Sequence, residues 1–286
     1  MEELSDLTGK TVLITGGNTG IGYCTAHALL KRGARVILGC RSDEKASEAV
    51  RRLREEIPSA AVEFELVDLS SLRSVQDFGD EIIRQEERLD VLILNGGAMA
   101  TDSRQRTREG FERTFATNYL GHFHLTNLLL PLLEKSAPSR IIAVSSAAHK
   151  MASSNFLDDL QLDKNSYGKF RAYCQSKMCQ VTHCCELARR LKSKNVTANS
   201  LHPGVIASEF FRGRWYESIL KWVARSPEKG AATSIYLATS DDVKDVTGAY
   251  FTNCKQVSSH RIANDREIGA KLWSLSEEFV KKALGS

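Results

Sequence analysis

Short runs of β-branched and aliphatic residues recur along the chain, each followed by a longer stretch of helical period, and that alternation leaves few folds open. The runs are Thr11 to Thr15, Ala34 to Gly39, Val62 to Val67, Val91 to Leu94, Arg140 to Val144, Val196 to Leu201 and Ala249 to Phe251. Between them lie Ile21 to Arg32, Glu44 to Glu56, Leu72 to Glu86, Gly110 to Lys135, Phe170 to Lys192, Lys229 to Ala238 and the terminal Glu267 to Leu284. Apolar residues are nearly continuous within each run, as strands covered on both faces must be, so the sheet is expected to be parallel. Right-handed crossovers then give an α/β fold with a doubly wound sheet. Such sheets bind ligands beyond the carboxyl ends of their strands, and the chemically suggestive residues lie there.

With 286 residues, 42% apolar and 26% charged, one large core can be buried and disorder is excluded. No Pro/Gly/Ser linker, charge block or internal repeat divides the chain, so a single domain over 1–286 is expected. The 39 basic and 35 acidic side chains leave +4, well interspersed, which argues against nucleic-acid binding. The longest apolar stretch, Leu125 to Leu133, is too short to span a bilayer and runs into Pro131, so no transmembrane span is expected. An acidic start, Met1-Glu2-Glu3-Leu4-Ser5-Asp6, and seven cysteines without a C-x-x-C pair point to a cytoplasmic protein without disulfides or a metal site.

After the first strand comes Thr15-Gly16-Gly17-Asn18-Thr19-Gly20-Ile21-Gly22, with a helix following directly. Gly16, Gly20 and Gly22 let backbone approach a pyrophosphate, and the helix amino end supplies free N–H groups, so a dinucleotide site is expected at the first βα turn. The second strand ends Gly39-Cys40-Arg41-Ser42, with no acid to receive a ribose 2′-hydroxyl. Arg41 offers a planar fork suited to a 2′-phosphate, which favours NADP over NAD; the alternative is a solvated surface charge. Asp68, in Val67-Asp68-Leu69, is a candidate acceptor for the adenine amino group or a cap for the next helix.

Tyr173-Cys174-Gln175-Ser176-Lys177 lies in a helical segment, and a spacing of four puts the Tyr and Lys side chains on one face. A nearby ammonium favours phenolate, moving a group of pKa about 10 toward a useful range. The strand Arg140 to Val144 ends in Ser145-Ser146, where a hydroxyl can hold a carbonyl oxygen or cap a turn.

Taken in order, these motifs resemble those of the short-chain dehydrogenase/reductase family, in the branch of the retinol dehydrogenases and the WW-domain-containing oxidoreductase. The match includes Asn95-Gly96-Gly97, Asn118-Tyr119-Leu120-Gly121-His122-Phe123, Val144-Ser145-Ser146, Tyr173 to Lys177 and His202-Pro203-Gly204, and runs from Thr11 to about Ser286. The resemblance implies a Rossmann-type fold, with a dinucleotide-binding part over about 8–145 and substrate loops at about 149–168 and 205–226. It implies Tyr173 as catalytic acid/base, Ser146 as the carbonyl-orienting hydroxyl, and Lys177 as the group that lowers the Tyr pKa and holds the nicotinamide ribose. By the same resemblance Asn118 organises a water-linked proton path, Asn95 steadies the central sheet, and Pro203, Val205 and Ser208 border the nicotinamide. Gly16, Asn18, Thr19, Gly20, Ile21, Gly22, Arg41, Asp68, Leu69, Asn95 and Gly96 complete the expected cofactor site.

The family's usual Asn-Ala-Gly is here Asn95-Gly96-Gly97, a change expected to loosen the backbone while keeping space for the cofactor. By the same comparison of motifs, no counterpart of the WW modules or of the membrane-anchoring amino end of many retinol dehydrogenases is expected here. Phe210, Phe211, Trp215, Tyr216 and Trp222 fall where the family carries its substrate lid, suiting either a lipophilic ligand or local packing and a homodimer contact. His122 and His124, two apart on a helix, are poor joint metal ligands, and His149 lies soon after Ser146. The expected function is NADP(H)-dependent interconversion of a lipophilic aldehyde, ketone, retinoid or steroid and its alcohol. A dinucleotide-binding regulatory or scaffold protein with incidental turnover is the alternative.

Overall fold

The computed structural model describes residues 6–99, 101–164, 166–204 and 226–285. Strand β1 (Thr11–Thr15) is followed by α1 (Gly20–Leu30), β2 (Arg35–Cys40), α2 (Asp43–Glu56), β3 (Val62–Leu66), α3 (Leu72–Gln85) and β4 (Val91–Leu94). A helical rod comes next: Arg113–Phe115, one π turn over Ala116–Leu120, then α4 (Gly121–Lys135). The chain continues with β5 (Ser139–Val144), α5 (Lys169–Arg190), β6 (Val196–His202), α6 (Pro227–Thr239), β7 (Tyr250–Thr252), β8 (Lys255–Val257) and α7 (Arg266–Leu284).

These strands form one eight-stranded sheet in the order β3-β2-β1-β4-β5-β6-β7-β8. Every pairing from β3 to β7 is parallel, in keeping with the fully buried apolar β1 and β4 at the centre, while β3 at the edge alternates Val, Glu, Phe, Glu and Leu. Along β1 the pleat sends Leu13 to one face and Val12 and Ile14 to the other, so two cores form. One lies under α3, α4, α5 and α7, where Phe123 packs edge to face on Trp273 and tilted against Tyr119; the other lies under α1, α2 and α6. The arrangement is a single domain of Rossmann type.

Two elements depart from the expected pattern. The eighth strand is antiparallel to β7 and joined to it by Asn253 and Cys254, at φ 54° and 60°. Two consecutive left-handed residues make a tight hairpin that a parallel-only reading excludes. Gly110 to Lys135 is not one regular helix: Gly110 sits at φ 89°, Glu112 caps the first turn through its carboxylate, and the π turn follows. Among the described residues no helix is long and apolar enough to cross a membrane.

Candidate active site

Strand order reverses between β1 and β4, and the residues singled out from the sequence gather at the carboxyl ends of the strands around that point. At the β1–α1 turn Gly16 and Gly20 take φ of 65° and 54°, a region glycine enters without strain. The Gly16 N–H donates to the Gly39 carbonyl at 2.7 Å, and the Gly17 and Asn18 amides face the Cys40 sulfur. Whereas Ser42 and Ser71 cap α2 and α3 with their hydroxyls, Thr19 at the start of α1 makes no side-chain cap, so first-turn N–H groups remain for a ligand. Ile21 uses its carbonyl to accept from Thr25 Oγ at 2.8 Å. A Cβ at Gly22 would fall against the Gly16 carbonyl, which shows how closely helix and turn approach. This uncapped, glycine-lined turn fits a pyrophosphate.

Around the turn, Arg41 stands exposed just past β2. Asp68 accepts from Ser70 N–H at 2.9 Å and Ser70 Oγ at 2.7 Å, so one carboxylate oxygen shapes the entry to α3. Asn95 ties β4 to the turn, donating from Nδ2 to the carbonyls of Thr15 (2.9 Å) and Gly16 (3.1 Å). At Gly96 an added Cβ would lie 2.6 Å from Leu69 Cδ1 and 3.3 Å from Thr15 Oγ1, so Leu69 packs directly against the glycine.

Helix α5 presents Tyr173 and Lys177 to the end of β5. Tyr173 hydrogen-bonds Ser146, whose Oγ also accepts from Ala148 N–H at 3.2 Å, so the serine both caps a turn and meets the phenol. Ser145 turns inward, donating from Oγ to the Lys177 carbonyl at 3.0 Å, which leaves Ser146 as the hydroxyl at the site. Lys177 Nζ lies 5.6 Å from the Tyr173 ring centroid and donates to the Val144 carbonyl (3.0 Å) and Gln180 Oε1 (2.8 Å). The electrostatics differ from the sequence expectation of a lowered phenol. Burial raises Tyr173 above its ordinary value, with the Ser146 hydrogen bond pulling the other way, and burial brings Lys177 down to about 7.

Asn118 occupies the π turn, a distortion that often marks functional helices. Its side chain joins three groups: Oδ1 accepts from Ala98 N–H at 2.7 Å, and Nδ2 donates to the Ala98 carbonyl and to Ser176 Oγ, each at 3.0 Å. Both amide hydrogens are used, while Oδ1 keeps a second lone pair.

Thr15 and His122 belong to the same assembly; each lies within one of the motifs quoted above, though neither was assigned a role from the sequence. Thr15 Oγ1 accepts from the N–H groups of Asn95 (3.0 Å) and Gly96 (2.9 Å), which uses both lone pairs and leaves its proton for His122 Nε2 at 2.9 Å. The Nδ1–H of that ring then donates to the Asn118 carbonyl at 3.1 Å, and burial holds the imidazole neutral, down to about 4. A spacing of four from Asn118 is the clue that could have placed His122 beneath it. Tyr250 was likewise missed: its hydroxyl is buried without a partner among the described residues, and burial together with the Tyr173 charge raises its pKa.

Pro203 and Gly204, the latter at φ 91°, follow β6 as expected. Val205, Ser208 and the aromatic residues Phe210, Phe211, Trp215, Tyr216 and Trp222 lie outside the described residues. The stretch 149–168 contains short 3₁₀ turns with Phe156 and Leu160 buried, and Gln175 Nε2 donates to the carbonyls of Phe156 and Asp159. His149 is buried too, its Nδ1–H donating to the Ser146 carbonyl at 2.8 Å and its Nε2 accepting from His260 N–H at 3.1 Å. Among the described residues no group of three His, Cys, Asp or Glu is placed to hold a metal ion.

Residues 10–157 match the family model for short chain dehydrogenase. Retinol dehydrogenase 14 of Mus musculus is 45% identical, with 95% of this chain and 86% of that protein covered. The WW domain-containing oxidoreductase of Homo sapiens is 40% identical, over 98% of this chain and 70% of that protein. Among solved structures, an uncharacterised protein from Mycobacterium paratuberculosis superposes with a TM-score of 0.79 at 34% identity, covering 98% of this chain and 96% of that one. The RhlG/NADP active-site complex of Pseudomonas aeruginosa gives 0.68 at 26% identity, covering 86% and 95%.

Proposed function

The chain belongs to the short-chain dehydrogenase/reductase family, as an oxidoreductase of alcohol and carbonyl groups, and from that premise we propose that it uses NADP(H) to interconvert a lipophilic carbonyl compound and its alcohol. The observation that carries this reading is the contact of Tyr173 with Ser146 beside buried Lys177, at the carboxyl end of β5. When bound, the dinucleotide supplies or takes up the hydride. Ser146 orients the substrate oxygen; Tyr173, held protonated by burial, gives that oxygen its proton in reduction and recovers it in oxidation. Lys177 adjoins the phenol and is the donor suited to the nicotinamide ribose. Asn118, with its side chain bonded to Ala98 and Ser176, holds the β4 loop against α5.

The glycine turn with Asn18, Thr19 and Ile21 is the proposed seat of the pyrophosphate. Asp68 with its free oxygen and Leu69 would flank the adenine, Asn95 and Gly96 support the turn, and Pro203, Val205 and Ser208 would border the nicotinamide. The names of the retinol dehydrogenase relatives support a lipophilic substrate, and free thiols at all seven cysteines suit a cytoplasmic setting. The reading is tested by NADPH consumption over a panel of aldehydes, ketones and retinoids: an inert protein that still binds NADPH would favour a regulatory role.

For cofactor choice, Arg41 makes no ion pair among the described residues and is free to take a phosphate. Arg41→Asp is expected to weaken NADPH by about 1–3 kcal/mol while NADH is spared, as read by fluorescence titration. Equal affinity for NADPH before and after the change would remove Arg41 from the site.

A further inference from the structure

The Lys177 amine has three or two hydrogens to place according to its charge, in a position only 5% exposed. Its visible acceptors, the Val144 carbonyl and Gln180 Oε1, are both neutral. Among the described residues nothing acidic faces it from the packed elements: the π turn brings the Asn118 amide, α4 brings neutral His122, the end of β5 brings Ser145, the β4 loop brings Gly97, and α5 itself brings Tyr173. Gln180 is 3% exposed, and its Nε2 has no partner among the described residues. An amide that leaves its own buried nitrogen unpaired is an expensive way to fill space, so its oxygen is the atom with a use.

We propose that Gln180 is a positioning residue that anchors the Lys177 amine at the end of β5 and favours its charged form, thereby setting how much ammonium stands beside Tyr173. The inference rests on reading Tyr173, Ser146 and Lys177 as the reacting set. An amide oxygen binds an ammonium more strongly than a neutral amine, because the bond to the charged donor is charge-assisted. Burial alone drives Lys177 down to about 7, so a single acceptor acts where the two forms are nearly balanced.

The test is a titration of the protein carrying lysine labelled with carbon-13 at Cε, the Lys177 resonance being assigned by its absence in Lys177→Met. Gln180→Met keeps the size and removes the acceptor, and is expected to lower the Lys177 midpoint by about one pH unit. Gln180→Glu places a carboxylate there and is expected to raise it by about one to three units. Gln180→Asn keeps the amide on a shorter stem and should fall between Met and wild type. The pH profile of kcat should move in the same directions with KM unchanged. Should Gln180→Met fail to fold, the Gln180→Asn midpoint decides, Gln180→Glu serving only to show that the position reaches the amine. A Lys177 midpoint identical in wild type and the folded variants overturns the proposal whatever the turnover. Tyr173→Phe with wild-type activity would instead overturn the reading of the reacting set, and the titration would still report on Gln180.

Discussion

Tyr173→Phe is expected to reduce kcat for carbonyl reduction by about 10²- to 10⁴-fold while leaving the fold and dinucleotide affinity intact. The substitution removes one hydroxyl and its bond to Ser146, and the serine keeps the Ala148 N–H as a partner. The pH dependence has a definite sign. Burial raises the phenol, so the acid form needed for reduction is present through neutrality and is lost as pH climbs through the Tyr173 pKa. Alcohol oxidation needs the phenolate and should gain rate over that same alkaline window. Steady-state rates in both directions, with fluorescence titration of NADPH as the binding control, measure this. A variant within tenfold of wild type in reduction would remove the phenol from the chemistry.

The parallel core was legible because burial on both faces imposes unbroken apolar runs, and β1 and β4 are buried along their whole length. Strand β8 carries no such mark: Lys255, Gln256 and Val257 are all exposed, and the hairpin depends on left-handed Asn253 and Cys254, residues chosen less often than glycine for that role. The π turn was illegible for another reason. Ala116 to Leu120 keep the apolar spacing of the helix they interrupt, and the extra residue is set by hydrogen bonds, not by side-chain pattern.

At the site, helical spacing brought Tyr173 and Lys177 together correctly, but their electrostatics were misjudged. Spacing reports which groups are neighbours and says nothing of how deeply they are buried, and depth decides that Lys177 cannot stay fully charged near neutrality. Thr15, His122 and Gln180 escaped for a related reason: their contacts saturate hydrogen-bonding groups between elements distant in sequence, such as Thr15 with His122. Satisfaction of buried polar atoms is visible only once the chain is folded.

That same satisfaction makes Gly22 the most sensitive glycine of the turn. A methyl group there would strike the Gly16 carbonyl and stand 2.6 Å from Asn95 Nδ2, the donor that joins β4 to the carbonyls of Thr15 and Gly16. Neither obstacle can yield cheaply, because one is backbone and the other is held by two hydrogen bonds. Gly22→Ala is therefore expected to cost about 1–3 kcal/mol of stability, the usual penalty for overpacking, and to weaken dinucleotide binding by at least about tenfold by displacing the turn. Gly20→Ala provides the contrast. No atom lies within 4 Å of its added Cβ, and only φ of 54° opposes the change, so a loss of about 1 kcal/mol is expected. Urea denaturation and NADPH titration of both variants measure the difference. Equal losses would mean that backbone conformation, and not the close approach of α1 to the turn, governs this site.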